Sequence, residues 1–575
     1  MKLEKRAPHL RLKLEGWRSR LVFALVALAF AGLAGRAFYL QAVDVGFLQA
    51  KGEARYGRVI DLPASRGPVK DRNGQALAIS TPVESICATP DALEEADDTQ
   101  MRALARVLNA TPQEIRQKIA RKDRQFVYLK RQISPEQAAK VIALGIPGVF
   151  QQREFRRYYP AGEVMAHVVG FTGIEDNGQE GIELAADERL AGMRGSRKVI
   201  KDRKGRIVED VESMRAPRDG QEVVLAIDQR LQFLAHRELK AAVEQNRAKG
   251  GSMVILDAKT GEVLALVNQP DYNPNNRTHV TGRQTRNRSV TDLFEPGSTM
   301  KPFTVAAALE SGIVRPDTMI QTGIVPMTIG GWTISDSHPN GAITVAQVIQ
   351  KSSNIGSAKI MLQMPAERMG TLYRELGFGV SPQTGFPGEA RGQLRPWDKW
   401  RPIEQATMAY GHGLSVSLLQ LARAYTIFTN EGQLLPLALV KRDAQPIGKR
   451  LVSRDTALEV TRMMELAVMP GGTAPRAQVP GYRVAGKTGT AYKPENGGYN
   501  ERKYVSSFVG FGPVTRPRFI VAVMLDEPGG PKHLGGDVGA PVFSTVIGAA
   551  LRMMAVAPDA PGTLNVQAPR EGSEG

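Results

Sequence analysis

From Leu21 to Val43 the chain runs for 23 residues with Arg36 as the only charged one, and no other feature restricts its possible structures as much. As a helix this run extends about 34 Å, enough to cross the hydrocarbon core of a bilayer if Arg36 reaches toward one interface. Trp17 and Tyr39 then fall near the two boundaries. Ahead of the run stand Lys2, Lys5, Arg6, Arg11, Lys13, Arg18 and Arg20 against only Glu4 and Glu15. The amino terminus is therefore expected to stay cytoplasmic, with everything beyond Asp44 folding on the far side. A cleaved signal peptide is the competing reading, since Ala29-Phe30-Ala31 offers small residues at suitable spacing. The long basic region and the apolar residues past that point favour a retained single-pass anchor.

What folds beyond the anchor is large. A chain of 575 residues exceeds one core and is expected to form three or four folded units at about 150 residues each. Its net charge of +17 invites a nucleic-acid partner, but the positive residues are spread out, with local concentrations only at Arg153 to Arg157 and Arg194 to Arg206. These read as solvated surface suited to work beside anionic lipid or polymer, so no nucleic-acid partner is expected. The single cysteine, Cys87, precludes an intrachain disulfide and reads as a small buried residue. Seven histidines without a His-Glu-x-x-His spacing give no basis for a metal, and no cofactor is expected.

Residues 1–20 form a basic tail, 21–43 the anchor, 44–220 an α+β module without catalytic groupings, 221–556 a second α+β domain and 557–575 a tail rich in Pro, Gly and charge. In the first module Thr111 with Glu114 and Ser134 with Gln137 mark helix starts, and Arg58 to Leu62 alternates as a strand. In the second, Asp228 caps a helix reaching about Glu244, and Met253 to Leu256 and Val263 to Val267 flank a turn at Asp257 to Gly261. Strand patterns return at Val505 to Phe511 and Phe519 to Leu525, before a closing helix from Val542 to Met554. Strands at both ends with helices between them predict an antiparallel sheet whose first and last strands meet, with helices packed around it.

Three polar clusters fall in that second domain. In Phe294-Glu295-Pro296-Gly297-Ser298-Thr299-Met300-Lys301-Pro302, Ser298 and Lys301 are three apart, so a helix puts a hydroxyl and an amine on one face. A serine needs such a neighbouring base to become a nucleophile. Pro302 is tolerated only in a first turn, so the helix is expected to begin near Ser298, with the hydroxyl at its positive end. Lys351-Ser352-Ser353-Asn354 and Gly486-Lys487-Thr488-Gly489-Thr490 follow.

Each cluster alone is weak; in this order and layout they resemble the active-serine penicillin-binding protein and serine β-lactamase superfamily. Arg66-Gly67-Pro68-Val69-Lys70-Asp71-Arg72-Asn73-Gly74 and Tyr159-Pro160-Ala161-Gly162, then Ala166-His167-Val168-Val169-Gly170-Phe171, resemble the pedestal motifs of class B penicillin-binding proteins. Asn354 as the third residue of Ser352-Ser353-Asn354 resembles the division-specific, FtsI type. That resemblance implies a penicillin-binding transpeptidase domain on an extended pedestal of the dimerisation-domain kind. It also implies a peptidoglycan D,D-transpeptidase, a β-lactam target working at the septum from the inner membrane, with its catalytic domain in the periplasm.

Carried over by resemblance, Ser298 attacks the carbonyl between the terminal D-alanines of a stem peptide. Lys301 takes its proton, kept neutral by burial and by Lys487. Ser352 relays the proton to the departing amine, Asn354 aligns Lys301 and the substrate amide, and Lys487, Thr488 and Thr490 hold the terminal carboxylate. Gly486 and Gly489 leave the strand open for a peptide lying along it, and the backbone N–H groups of Ser298 and Thr490 make the oxyanion hole. Stem peptides, membrane lipid, a membrane glycosyltransferase and other division proteins are the implied partners. A D,D-carboxypeptidase, an elongation or stress paralogue, and a membrane-anchored division scaffold are the alternatives; a β-lactamase fits poorly with an anchor and pedestal. Ser353 reads as packing or capping, His412 in Tyr410-Gly411-His412-Gly413 as structural, and Asp336-Ser337-His338 as a triad fragment by composition only.

Overall fold

The computed structural model describes residues 15–46, 57–120, 126–201, 207–495 and 498–560. The basic residues before Glu15, the 202–206 part of the second basic concentration and the tail beyond residue 560 lie outside the described residues. The helix Gly16–Phe38 continues into a π-helical turn at Tyr39–Val43, and its apolar side chains are exposed, as a membrane-crossing segment requires. The helical segment starts five residues before the apolar run itself because Gly16 to Arg20 can continue the helix without being buried in lipid.

The chain divides into two compact units that do not follow chain order: one of residues 1–64, 83–154 and 193–218, the other of 65–82, 155–192 and 219–575. In the first, the strands Gly57–Leu62, Gly195–Lys201 and Ile207–Arg215 form an antiparallel sheet in that order. Its core gathers Ile86, Leu104, Ile115, Leu129 and Val141 from helices and strands between residues 83 and 149. Thr111 and Glu114 make the reciprocal cap of the helix Pro112–Ile119, and Ser134 caps Pro135–Ile142. Cys87 is fully buried.

The second unit is built on five antiparallel strands ordered Val263–Gln269, Gly250–Asp257, Phe519–Asp526, Gly498–Gly512, Ala485–Glu495. Gly250–Asp257 pairs with the last strand, Phe519–Asp526, along its whole length, whereas the earlier Val223–Val224 pairs in parallel with Val69–Lys70. Successive side chains leave a strand on opposite faces, and this sheet is covered on both. Met253, Ile255 and Phe508 face the helices Gln229–Gln245 and Ala540–Met553 through Leu231, Leu239, Phe543 and Ile547. Val254, Leu256, Val509 and Phe511 belong to the core on the other face, with Met300, Phe303 and Leu421. Asp228 caps its helix as predicted, accepting from Arg230 N at 3.0 Å.

One basic concentration departs from the solvated reading. Arg153 is exposed, but Arg157 is buried, its Nε donating to Glu183 Oε1 at 2.6 Å while Arg66 Nε donates to Glu183 Oε2 at 2.6 Å. Arg157 Nη2 also donates to Gly67 O at 2.8 Å. A carboxylate shared by two guanidinium groups, with backbone carbonyls, Asp187 and Ser80 taking the remaining donors, is what allows these charges to leave water.

Candidate active site

The stretch around Ser298 folds as a 3-10 turn, Gly297–Met300, running into the helix Lys301–Glu310 with Pro302 in its first turn. Gly297 has φ +57, a left-handed conformation suited to glycine, and a methyl there would sit 3.2 Å from Thr490 O. Gly297, Thr299 and Met300 are buried while Ser298 keeps partial exposure, so the turn presents that residue to solvent. Lys301 is fully buried on the first helical turn.

Four oxygens surround the Lys301 amine. Nζ lies 2.8 Å from Ser298 Oγ, 2.5 Å from Ser352 O, 3.1 Å from Ser352 Oγ and 2.8 Å from Asn354 Oδ1. Ser352 O and Asn354 Oδ1 can only accept, so a neutral amine donates its two hydrogens to them and keeps its lone pair for the Ser298 hydroxyl. Its pKa is held well below the ordinary lysine value, first by burial and then by the charge of Lys487, with the Asp336 carboxylate opposing. A neutral amine beside a hydroxyl is a general base in position.

Ser352 makes this possible by an unusual backbone. It ends the helix Val345–Lys351 in the left-handed region, φ 59 and ψ 41, before Ser353 caps the next helix, Asn354–Leu362. Strained non-glycine residues of this kind persist where surrounding contacts hold them; here the turn offers both O and Oγ of Ser352 to Lys301. Ser353 accepts from Gly356 N at 2.8 Å, in keeping with a capping role.

Lys487 joins from the strand Ala485–Glu495. Its Nζ donates to Ser352 Oγ at 2.9 Å and lies 3.2 Å from Thr488 Oγ1, and burial lowers its pKa to about 7. Alternation alone would separate Lys487 and Thr488. The strand is the edge of the sheet, so the long lysine side chain can fold back along the open side to its neighbour. Thr488 Oγ1 donates to Thr473 Oγ1 at 3.2 Å, and Thr490 Oγ1 accepts from Gly535 N at 3.0 Å, which leaves the Thr490 hydroxyl hydrogen to donate.

Packing requires glycine at both positions. A methyl on Gly486 would lie 2.5 Å from the Phe508 ring, and one on Gly489 2.4 Å from Ser507 Oγ and 2.8 Å from Pro296 O. Gly489 is thus where the strand closes against the Ser298 turn.

Asp336 is the residue that sequence reasoning passed over. Its Oδ1 accepts from Asn354 N at 2.6 Å and Ile355 N at 3.0 Å, and its Oδ2 from Ser353 Oγ at 2.6 Å and Asn340 Nδ2 at 2.9 Å. Those two amides are the first donors of the helix Asn354–Leu362, which otherwise lack partners, and a carboxylate is favoured there. Asn354 Nδ2 in turn donates to Ser335 O at 3.0 Å. The available signal was the hairpin Met327–Ile334, with Gly330-Gly331 as its turn, which delivers Asp336 to the site. Asp336→Ala is expected to cost about 1–3 kcal/mol of stability for the stranded amides. It should also slow acylation by a β-lactam about tenfold or more as Asn354 and Ser352 drift from Lys301; thermal melts and stopped-flow acylation check both.

His412 stands 3.8 Å from Glu295 Oε2 through Nδ1 and stacks edge-on against Tyr410, outside the hydrogen-bonded chain from Ser298 to Lys487. His167 is buried, its Nε2 donating to Gln284 O at 2.7 Å, with burial lowering its pKa to about 4.

Residues 251–548 match the penicillin binding protein transpeptidase domain and residues 61–225 the penicillin-binding protein dimerisation domain. Over 549 residues the chain is 44% identical to a probable peptidoglycan D,D-transpeptidase PenA of Neisseria meningitidis serogroup A, covering 95% of this chain and 94% of that one. It is 40% identical over 549 residues to the peptidoglycan D,D-transpeptidase FtsI of Escherichia coli K12, covering 95% and 93%. The apo structure of the transpeptidase domain of Burkholderia pseudomallei penicillin-binding protein 3 is 49% identical, with a TM-score of 0.55, covering 59% of this chain and 98% of that one. The chain therefore belongs to the class B penicillin-binding protein family, together with relatives named peptidoglycan D,D-transpeptidase.

Proposed function

We propose that the protein is a membrane-anchored serine D,D-transpeptidase that cross-links peptidoglycan stem peptides during septal wall synthesis. The observation that carries this reading is the buried Lys301 amine held among Ser298 Oγ, Ser352 O and Asn354 Oδ1. Ser298 is the nucleophile and Lys301 its base. As the Ser298 Oγ to carbonyl carbon bond forms, the proton passes through Lys301 and Ser352 to the nitrogen of the departing D-alanine. Asn354 aligns the base, and Lys487, Thr488, Gly489 and Thr490 form the strand that binds the donor's terminal carboxylate. The backbone N–H groups of Ser298 and Thr490 stabilise the oxyanion, each such donor being worth about 2.7–4 kcal/mol. An acceptor amine then displaces Ser298 Oγ from the acyl carbon and leaves a cross-link.

Residues 44–220 serve as the pedestal and 221–556 as the catalytic domain. The helix through residues 16–43 supports a membrane anchor, and the excess of Lys and Arg ahead of it supports a cytoplasmic amino terminus, which would put the body in the periplasm if the membrane is the inner one. The FtsI and PenA relatives support a division role, with a membrane glycosyltransferase and other division proteins as partners. The deciding experiment supplies the anchored protein with lipid-linked donor and a partner polymerase. Cross-linked muropeptide dimers are the expected product; release of D-alanine with no dimers would make the enzyme a carboxypeptidase.

A further inference from the structure

The two oxyanion donors come from separate pieces of chain, Ser298 N from the turn Gly297–Met300 and Thr490 N from the edge strand Ala485–Glu495. An edge strand is paired on one side only, so beyond the close approach of Gly489 to Pro296 and the Gly535 N bond to Thr490 Oγ1, its distal part needs a further constraint. The hairpin it forms with Gly498–Gly512 is irregular, with a register shift between Tyr492 and Lys493 two residues past Thr490. A bulge of this kind bends a strand and re-aims what lies beyond it.

Glu295 sits three residues before Ser298, its side chain 13% exposed. Its Oε1 accepts from Gly413 N at 2.9 Å, and the hydroxyl of Tyr499, beyond the bulge on the returning strand, donates to Oε1 at 2.9 Å and Oε2 at 3.0 Å. The loop carrying Gly413 is locked to the serine turn at a second point. Gly297 N donates to Gly411 O at 3.2 Å, and a methyl on Gly411 would lie 2.2 Å from Gly297 O. The Tyr499 ring is half-exposed and tilted against His412 at 6.0 Å, so its phenol is the anchor point rather than a core side chain.

We propose that Glu295 and Tyr499 form a clamp across the active site that sets the spacing between the Ser298 and Thr490 backbone donors, which makes both of them positioning residues for acyl transfer. The bond closes a ring: serine turn, Glu295, Tyr499, hairpin, edge strand, and back to the turn where Gly297 meets Thr490. Without it the register shift beyond Tyr492 is free to act as a hinge, and Thr490 N moves relative to Ser298 N. A displacement of about 1 Å is enough to cost up to about 10²-fold in rate. Glu295 also supports the serine turn through Gly413, so the carboxylate links three segments of the site and the phenol links only one. The proposal rests on the acyl-transfer reading, and its test is separable from that reading.

Stopped-flow acylation by a chromogenic β-lactam gives the acylation rate constant and the preceding dissociation constant. Tyr499→Phe removes one oxygen and keeps the ring against His412. It is expected to lower the rate constant about tenfold with the dissociation constant within about twofold. Glu295→Gln, which retains an acceptor oxygen, should keep most of the rate, while Glu295→Ala should match or exceed the loss in Tyr499→Phe. Combining Glu295→Ala with Tyr499→Phe should add almost nothing to Glu295→Ala alone. A boronic acid whose tetrahedral adduct on Ser298 places an oxygen in the hole should bind Tyr499→Phe more weakly by a similar factor. A wild-type rate constant in Tyr499→Phe, a loss confined to the dissociation constant, unchanged boronate affinity, or fully multiplicative losses in the double variant would each overturn the clamp. Acyl transfer itself would fail separately, by persistence of labelling in Ser298→Ala.

Discussion

Ser298→Ala is expected to leave no covalent labelling by a fluorescent penicillin while the protein stays folded and membrane-inserted. Two hydroxyls lie within reach of the Lys301 amine, Ser298 Oγ at 2.8 Å and Ser352 Oγ at 3.1 Å. They are not equivalent. Ser352 Oγ also accepts from Lys487 Nζ at 2.9 Å, and an oxygen whose lone pair is occupied by an ammonium is a poor nucleophile. Ser298 stands at the opening turn of a helix, where backbone N–H groups and the helix dipole favour the negative charge that forms on the carbonyl oxygen. Removal of its Oγ removes the atom that carries the acyl group, so the stoichiometry of labelling falls to zero rather than slowing. The substitution deletes one oxygen from a half-buried residue and leaves the buried neighbours Gly297, Thr299 and Met300 in place, so the fold should tolerate it. In-gel fluorescence with intact mass measurement checks the result, and a labelled Ser298→Ala protein would assign the nucleophile elsewhere.

Lys301→Gln should slow acylation by about 10²–10⁴-fold, the usual contribution of a positioned general base. Non-covalent affinity should change little, since the amine faces Ser298, Ser352 and Asn354 rather than the carboxylate of the ligand. The pH dependence follows from the two lysines. Lys301 is active when neutral, so the rate rises with pH through its pKa, which burial and Lys487 place well below the ordinary lysine value. Lys487 is useful when charged, so the rate falls as the pH passes about 7 and that amine loses its proton. In Lys301→Gln the rise of the rate with pH should disappear, while the fall through about 7 remains. Stopped-flow acylation across the pH range measures both, and a rise centred near the normal lysine pKa would contradict a neutral Lys301.

Much of this site could be read from the chain because its determinants are local. Ser298 and Lys301 are one helical turn apart, Ser353 caps the helix that follows it, and Pro302 and Gly297 mark where the helix starts; short spacing decides each of these. The five antiparallel strands of the catalytic sheet are legible in part: the apolar runs Met253 to Leu256, Val263 to Val267, Val505 to Phe511 and Phe519 to Leu525 lie inside Gly250–Asp257, Val263–Gln269, Gly498–Gly512 and Phe519–Asp526. The partition of polar residues was less so. Arg157 looked like surface charge because its partner Glu183 is distant in sequence, and a buried ion pair has no local pattern. Asp336 reads as a fragment of a triad because Ser337 and His338 follow it directly. Its carboxylate instead crosses to the start of another helix.

The sequence by itself determined the apolar amino-terminal helix, the helix starts, the two-faced strands and the candidate reacting groups, since hydrophobic periodicity, capping and side-chain chemistry depend on residues close together in the chain. Tertiary structure alone decided which hydroxyl Lys301 faces with its lone pair, that Gly486 and Gly489 are spaces for Phe508 and the serine turn, and that Asp336 and Glu295 brace the site. Those outcomes depend on which strand lies at the sheet edge and how closely two backbones approach, and both are settled only when distant segments pack together.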